Sequence, residues 1–417
     1  MRVHYWVHPW EDNNSSISSN SVETRRKRRA SSSKKENVAE DNNVSEKAKP
    51  PSHGSVLHYF YKTSLGYNVN SHLRQSLQMS FVRSLASCMV HRAFSSFTSR
   101  VTCLEWHPTQ PTVLAAGSNG GAMMLWDYEE PIPMAFLNGK RRCVVGGLKF
   151  CPSDSSRCYV TSYDGTLALQ SFEDLPCLTL FRAQDGGHDD HNVWPWYCCV
   201  DVSASQRMLV IGSNTGRLAL LGFDGHKIFS NKLHDAKVTH AEFNCHCGWL
   251  LATASLDCTV KLWDLRHLKD QTSCLQEMAH KKPVNSACFR PMDGSKLLTT
   301  DHCDEIRLYA SSDWSKPERV IHHPHTHFQN TTPIKATWHP FYDLIVSGRN
   351  GAGSINVGSV DILDPNTGEL LHQVLDPGGK GTKSTPLPSA VSGQAQCQTG
   401  IISPHLENSY SRRTVAS

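Results

Sequence analysis

The 417-residue chain contains no run of eighteen apolar residues, which leaves no candidate for a membrane-spanning helix and predicts no membrane partner. Also missing are G-x-x-x-x-G-K-[ST], G-x-S-x-G and H-E-x-x-H, the signatures of a phosphate loop, a nucleophile elbow and a zinc-protease helix. Ser, His and Asp are plentiful, yet their spacing argues for no catalytic triad. The sequence therefore predicts a non-catalytic protein without cofactor. Paired C-x-x-C is absent as well, although there are 15 cysteines. They lie scattered singly through apolar segments with no apolar signal peptide before them, which predicts reduced, intracellular core residues rather than a disulfide scaffold.

The near-clusters Cys198-Cys199 and Cys245-His246-Cys247 do not have zinc-site spacing, because adjacent or next-but-one side chains on a strand do not easily converge on one tetrahedral ion. Of His322, His323, His325 and His327, only His325 and His327 are expected to share a face of an extended chain. No thiol or carboxylate adjoins them, so no metal is expected there either.

Net charge is small, +4, but its layout is uneven. Arg25, Arg26, Lys27, Arg28 and Arg29, followed by Lys34 and Lys35, place seven positive charges in eleven residues. Such a run reads as a nuclear-import or nucleic-acid tail. The surrounding residues are rich in Ser, Asn, Lys and Glu and poor in large apolar groups, so residues 1–54 are expected to form a disordered basic tail.

From Ser55 the character changes. Val56, Leu57, Tyr59, Phe60 and Leu65 precede a break at Gly66, after which Leu73, Leu77, Phe81 and Leu85 recur every four residues. That spacing predicts a helix from near Asn70 or Ser71 with one apolar stripe, hence a helix-loop-helix over 55–98. Lying outside any repeat, the stripe either packs on its own domain or docks in a partner's groove.

Between 99 and 375 the chain repeats. Six segments, ending in Leu125–Asp127, Leu169–Phe172, Leu220–Phe223, Leu262–Asp264, Arg307–Tyr309 and Val360–Asp364, recur about every 40 to 53 residues, each after short β-rich runs and a Gly or Asp turn. This is the period of WD40 β-propeller blades. In the fourth, His234, Ser255, Asp257 and Trp263 are expected to form the blade's internal hydrogen-bond set. Rings of this kind usually have seven blades and only six are visible, so the strands near Val360–Leu363 are expected to expose unpaired backbone. Residues 376–417, rich in Gly, Pro, Ser and Thr, read as a disordered or atypical tail.

The stretches TCLEWHPTQPTVLAAGSNGGAMMLWD, DVSASQRMLVIGSNTG, PVNSACFRPMDGSKLLTTDHCDEIRLYASSDW and HPHTHFQNTTPIKATWHP together resemble the small WD40 subunits of UV-damaged DNA-binding heterodimers, the xeroderma pigmentosum group E family. The resemblance spans roughly residues 55–376. It implies a nuclear protein of nucleotide-excision repair with a hairpin that enters damaged double-stranded DNA from the minor groove, and Phe328, Gln329 and Asn330 fall on that wedge. An apolar wedge between base steps agrees with the residues themselves, since unstacking costs least where a lesion has already weakened pairing.

The resemblance further implies DNA-backbone or lesion-pocket roles for Lys237, Arg100 and Trp196. It also implies docking of the helix pair (Leu73, Leu77, Phe81, Leu85) on the large triple-propeller adaptor of cullin-4 ubiquitin ligases. Trp263-Asp264-Leu265-Arg266 fits the WDxR signature of adaptor-binding propellers, with Asp264 and Arg266 as contacts. Histones are a further implied partner. The chain departs from the family at Asn330, where a His is expected, and at Asn119, where a Lys is expected. An adaptor-binding scaffold, or a truncated isoform that has lost damage binding, therefore stands as the alternative.

Overall fold

The computed structural model describes residues 7–9, 56–66, 70–85, 88–90, 97, 99–127, 129–130, 134–137, 143–173, 177–183, 195–326, 333–350 and 357–375. Two compact units are present: Trp10–Phe81, and Val82–Ser417 with Met1–Pro9. The first contains a helix at Val56–Ser64 and most of a second at Asn70–Leu85. The second helix begins at Asn70, the first of the two starting residues expected from its spacing. Three residues of the expected tail, Val7–Pro9, instead form a short strand paired with Cys88–Val90. The basic run Arg25–Arg29 and residues 376–417 lie outside the described residues.

The second unit is a six-bladed propeller of four-stranded antiparallel sheets. Each predicted signature falls on the third strand of a blade: Met123–Asp127, Thr166–Ser171, Arg217–Gly222, Thr259–Asp264, Glu305–Ala310 and Val357–Leu363. Blades stack face to face, so their second strands are covered on both sides. Val113–Ser118 is accordingly buried at every position. Outer strands such as Lys227–Lys232 meet solvent on one face and alternate. Trp126, Trp263 and Tyr309, all on third strands, are among the largest fully buried side chains.

The expectation of unpaired backbone near Val360–Leu363 is overturned. That strand is interior to blade six, with Asp361 opposite Ser347 on one side and Gln373 on the other. The blade forms because Ile345–Asn350 and Leu370–Leu375 flank it on both sides.

Inner strands surround an axial channel. Glu105, Lys149, Asp201, Glu242, Cys288 and Thr337 hold the same place in successive blades, each directly before a large apolar residue (Trp106, Phe150, Val202, Phe243, Phe289, Trp338). The layer ties blades together. Phe243 N–H donates to Asp201 Oδ2 at 2.8 Å, Phe289 N–H donates to Glu242 Oε1 at 2.8 Å, and Lys149 Nζ lies 3.0 Å from Glu105 Oε1 and 3.5 Å from Asp201 Oδ1.

In blade four the internal hydrogen-bond set forms with one correction. His234 Nδ1 lies 2.8 Å from Asp257 Oδ2, His234 Nε2 lies 2.7 Å from Thr253 Oγ1, and Trp263 Nε1–H donates to Thr253 Oγ1 at 2.8 Å. The bridging hydroxyl is Thr253, not Ser255. Both share a strand face, but Trp263 pairs in register with Leu251, two residues from Thr253 and four from Ser255. Ser255 Oγ instead donates to Ala236 O and accepts from Asp257 N–H at the turn.

Blade five repeats this arrangement with one part missing. His280, Thr299 and Tyr309 match His234, Thr253 and Trp263 at equal spacing, but Cys303 stands where Asp257 would be. His280 Nε2 reaches Thr299 Oγ1 at 3.2 Å, while its buried Nδ1 has no hydrogen-bond partner among the described residues. The Cys303→Asp variant is expected to supply that partner and raise stability by about 1–2 kcal/mol, in line with a charge-assisted hydrogen bond. An unchanged or lower urea midpoint speaks against that assignment.

The histidine run adds a partner the sequence did not assign. His323 and His325 come together: their rings stack at 5.4 Å, with Nδ1 atoms 3.2 Å apart, while His327 lies outside the described residues. Residues two apart on an extended chain share a face, and both rings are buried. His323 Nε2 lies 3.3 Å from Asp361 Oδ2, so a carboxylate from blade six does adjoin the pair.

Candidate nucleic-acid interface

In an antiparallel four-stranded blade, the connection from an outer strand to the next inner strand and the turn between second and third strands lie at the same end of the sheet. Arg100 directly precedes the inner strand of blade one (Val101–Trp106), Trp196 that of blade three (Tyr197–Ser203) and Lys237 that of blade four (Val238–Phe243). Phe328, Gln329 and Asn330 lie outside the described residues. They fall in sequence between the outer strand of blade five (Arg319–His322) and the inner strand of blade six (Thr337–Trp338), which is again an outer-to-inner connection. Arg100, Trp196 and Lys237 thus share one face of the propeller.

Within that face three side chains meet. Tyr163 and Trp196 stack with ring centroids 5.5 Å apart and planes 25° from parallel. Lys237 Nζ donates to Tyr163 Oη at 3.1 Å and sits 5.3 Å from the ring centroid. Burial works against the lysine's charge, but the neighbouring Cys198 thiol and Tyr163 hydroxyl leave its pKa raised, so it stays an ammonium. Asn214 fixes the tryptophan: Trp196 N–H donates to Asn214 Oδ1 at 2.9 Å, and Asn214 N–H donates to Trp196 O at 3.0 Å. The buried Trp196 indole N–H has no hydrogen-bond partner among the described residues.

Tyr163 and Asn214 were not singled out from sequence. The available signal is positional: both sit in the turn between second and third strands, in SYDG and SNTG, at the end of the blade that carries Trp196 and Lys237. Blade one has the corresponding turn Gly117–Gly121, tied to Arg100 by Asn119 N–H donating to Arg100 O at 2.8 Å. Stacked aromatics beside an ammonium present a surface suited to an unstacked base and a phosphate.

Asp264 and Arg266 lie at the other end of the blades, after a third strand. Arg266 is forked onto Asp264, with Nε–Oδ1 at 2.9 Å and Nη2–Oδ2 at 2.7 Å, and these hydrogen bonds hold the Asp264 carboxyl well below its usual range. The exposed Trp249 is next to them in space, its carbonyl accepting from Leu265 N–H at 2.9 Å. The helical stripe is divided: Leu77 is 39% exposed and Leu73 half-buried, while Phe81 and Leu85 are buried within the chain.

The family model for the WD domain, G-beta repeat, matches residues 87–127 and 225–264, which include the first three strands of blades one and four. Among similar proteins, DNA damage-binding protein 2 of Gallus gallus is 51% identical over 334 residues, 78% of this chain and 66% of that protein. The Danio rerio protein of that name is 51% identical over 332 residues, 78% and 65% respectively. This chain therefore spans just under two thirds of the length of those two relatives. DNA damage-binding protein 2 of Mus musculus is 41% identical over 342 residues, 80% of this chain and 77% of the relative. By its repeats, its blade architecture and these identities, the chain belongs to the DNA damage-binding protein 2 family.

Proposed function

We propose that this chain recognises damaged duplex DNA and acts in the nucleus as a non-catalytic substrate receptor of a cullin-4 ubiquitin ligase. The observation that carries DNA recognition is the cluster of Trp196, Tyr163 and Lys237 on one propeller face. In this reading the wedge fills the gap left by an extruded lesion, the aromatic pair packs beside it, and Lys237 and Arg100 neutralise backbone phosphate. Arg25–Arg29 would direct nuclear import. Family membership supports damage binding, while histones and the adaptor rest on the resemblance in sequence. The test is a gel-shift titration of the purified chain, with and without the adaptor, on matched damaged and intact duplexes. Equal affinity for the two would overturn the reading.

Adaptor binding is assigned to the exposed part of the helical stripe and, on the opposite propeller face, to Asp264 and Arg266. Because Phe81 is buried, a charge there risks unfolding, whereas Leu77→Glu places one on an exposed position. Leu77→Glu is expected to abolish adaptor pull-down with an unchanged circular dichroism spectrum. Full retention would mean that the stripe does not enter the adaptor groove. Asn119 and Asn330 favour a second reading, an adaptor-binding scaffold without damage preference, which the same titration separates from the first.

A further inference from the structure

The axial channel brings together three side chains that DNA recognition does not use. His240 and Glu242 are next-but-one neighbours on the inner strand of blade four, a spacing from which the sequence alone predicts no zinc site, and a third donor, Cys288, comes from the inner strand of blade five. Their donor atoms all lie within 4.8 Å of one another, with His240 Nε2 3.9 Å from Glu242 Oε2. A tetrahedral zinc ion with bonds of about 2.0–2.3 Å needs donors roughly 3.3–3.8 Å apart, so small side-chain rotations close the set.

The surrounding hydrogen bonds suit metal ligands. His240 Nδ1 is 2.9 Å from Ala287 O and 3.4 Å from Ala287 N, and the shorter contact favours the tautomer with its proton on Nδ1 and the Nε2 lone pair facing the cluster. Glu242 Oε1 accepts from Phe289 N–H at 2.8 Å, leaving Oε2 for an ion. All three side chains line one cavity of about 100 Å³, with room for an ion and a solvent ligand. Imidazole, thiolate and carboxylate together suit zinc, whereas magnesium and calcium favour oxygen donors alone. We propose that His240 Nε2, Glu242 Oε2 and Cys288 Sγ form a zinc site in the propeller channel, with one position open to solvent.

Two lysines line the same cavity and have to be reconciled with a cation. Lys149 is engaged by Glu105 and Asp201, and Lys335 Nζ donates to Thr239 O at 3.4 Å. A bound zinc takes Glu242 as carboxylate and Cys288 as thiolate, and their two negative charges balance its two positive ones, so the ion brings no net charge against the lysines.

The test uses the full chain, reduced, stripped with chelator and titrated with Co²⁺. One equivalent should bind with the intense visible bands of four-coordinate cobalt and a near-ultraviolet thiolate-to-cobalt band, both erased by Zn²⁺. Cys288→Ser should lose the near-ultraviolet band, and His240→Gln and Glu242→Gln should each weaken binding at least about 10-fold with unchanged far-ultraviolet circular dichroism. Should Cys288→Ser fail to fold, the other two variants carry the ligand test. Among the described residues Cys177, Cys245 and Cys247 are exposed, and the closely spaced Cys245 and Cys247 are the competing pair of thiols, so a Cys245→Ser, Cys247→Ser double variant should bind as wild type. A thiolate band that survives Cys288→Ser, a band lost in that double variant, or no saturable binding overturns the site.

Discussion

Replacing Phe328 and Gln329 together by alanine is expected to erase the preference for damaged over intact duplex while leaving weak, salt-sensitive binding in place. A wedge repays the unstacking of a base step, a few kcal/mol, and that cost is smallest at a lesion. Removing the wedge removes the term that differs between damaged and intact DNA. What remains is phosphate neutralisation, blind to the lesion, with dissociation constants of roughly 10⁻⁴–10⁻⁶ M at physiological salt. Lys237→Ala is expected to behave in the opposite way. It should weaken both duplexes and lower the slope of log affinity against log salt by about 1. Gel-shift titrations at several salt concentrations distinguish the two patterns. Discrimination that survives the double alanine variant would place lesion reading elsewhere, with Trp196 and Tyr163 the next residues to test.

Acid should destabilise the propeller well before its exposed carboxylates titrate. Burial lowers His280 to about 3, with the Arg307 charge adding to the effect, and lowers His325 and His339 to about 4. His339 Nδ1 accepts from Phe341 N–H at 3.1 Å and Tyr342 N–H at 3.0 Å, so protonation would also break two hydrogen bonds.

The sign follows from linkage. The unfolded chain takes up these protons near pH 6.5 and the folded chain only near 3–4, so their contribution to stability is full above 6.5 and is lost as pH falls below it. The loss is about 1.4 kcal/mol per pH unit for each histidine. Three together approach, by about pH 4.5, the total stability of an ordinary domain, about 5–15 kcal/mol. Urea midpoints should fall steeply from pH 7 to pH 5. A flat profile over that range would show that the three rings are not held neutral.

The repeat was legible in the sequence because it is written in short-range patterns. Gly or Asp turns, small and branched strand residues, and the endings at Asp127, Asp264 and Tyr309 fall within a few residues of one another, and all six predicted endings lie on third strands or one residue past them. The start of the second helix at Asn70 was legible for a similar reason, since a stripe of period four needs only its own segment.

Register decided what spacing had left open. Thr253 and Ser255 are equivalent on a strand face, and only the pairing of Leu251 with Trp263 selects the hydroxyl that bridges His234 to the indole. The same limit hid the pairing of blade six around Val360–Leu363, which depends on strands that local composition does not assign to one another.

The sequence by itself determined the blade count visible in this chain, the third-strand signatures and the identity of the residues in each outer-to-inner connection. Only the tertiary structure decided which of them meet. Tyr163 stacks on Trp196 from another blade, Lys237 reaches Tyr163 across 74 residues of sequence, and Cys288 joins His240 and Glu242 from the neighbouring inner strand. Periodicity fixes the face on which a side chain lies, but the approach of two blades is set by their packing around a common axis, and that information is not local to any segment.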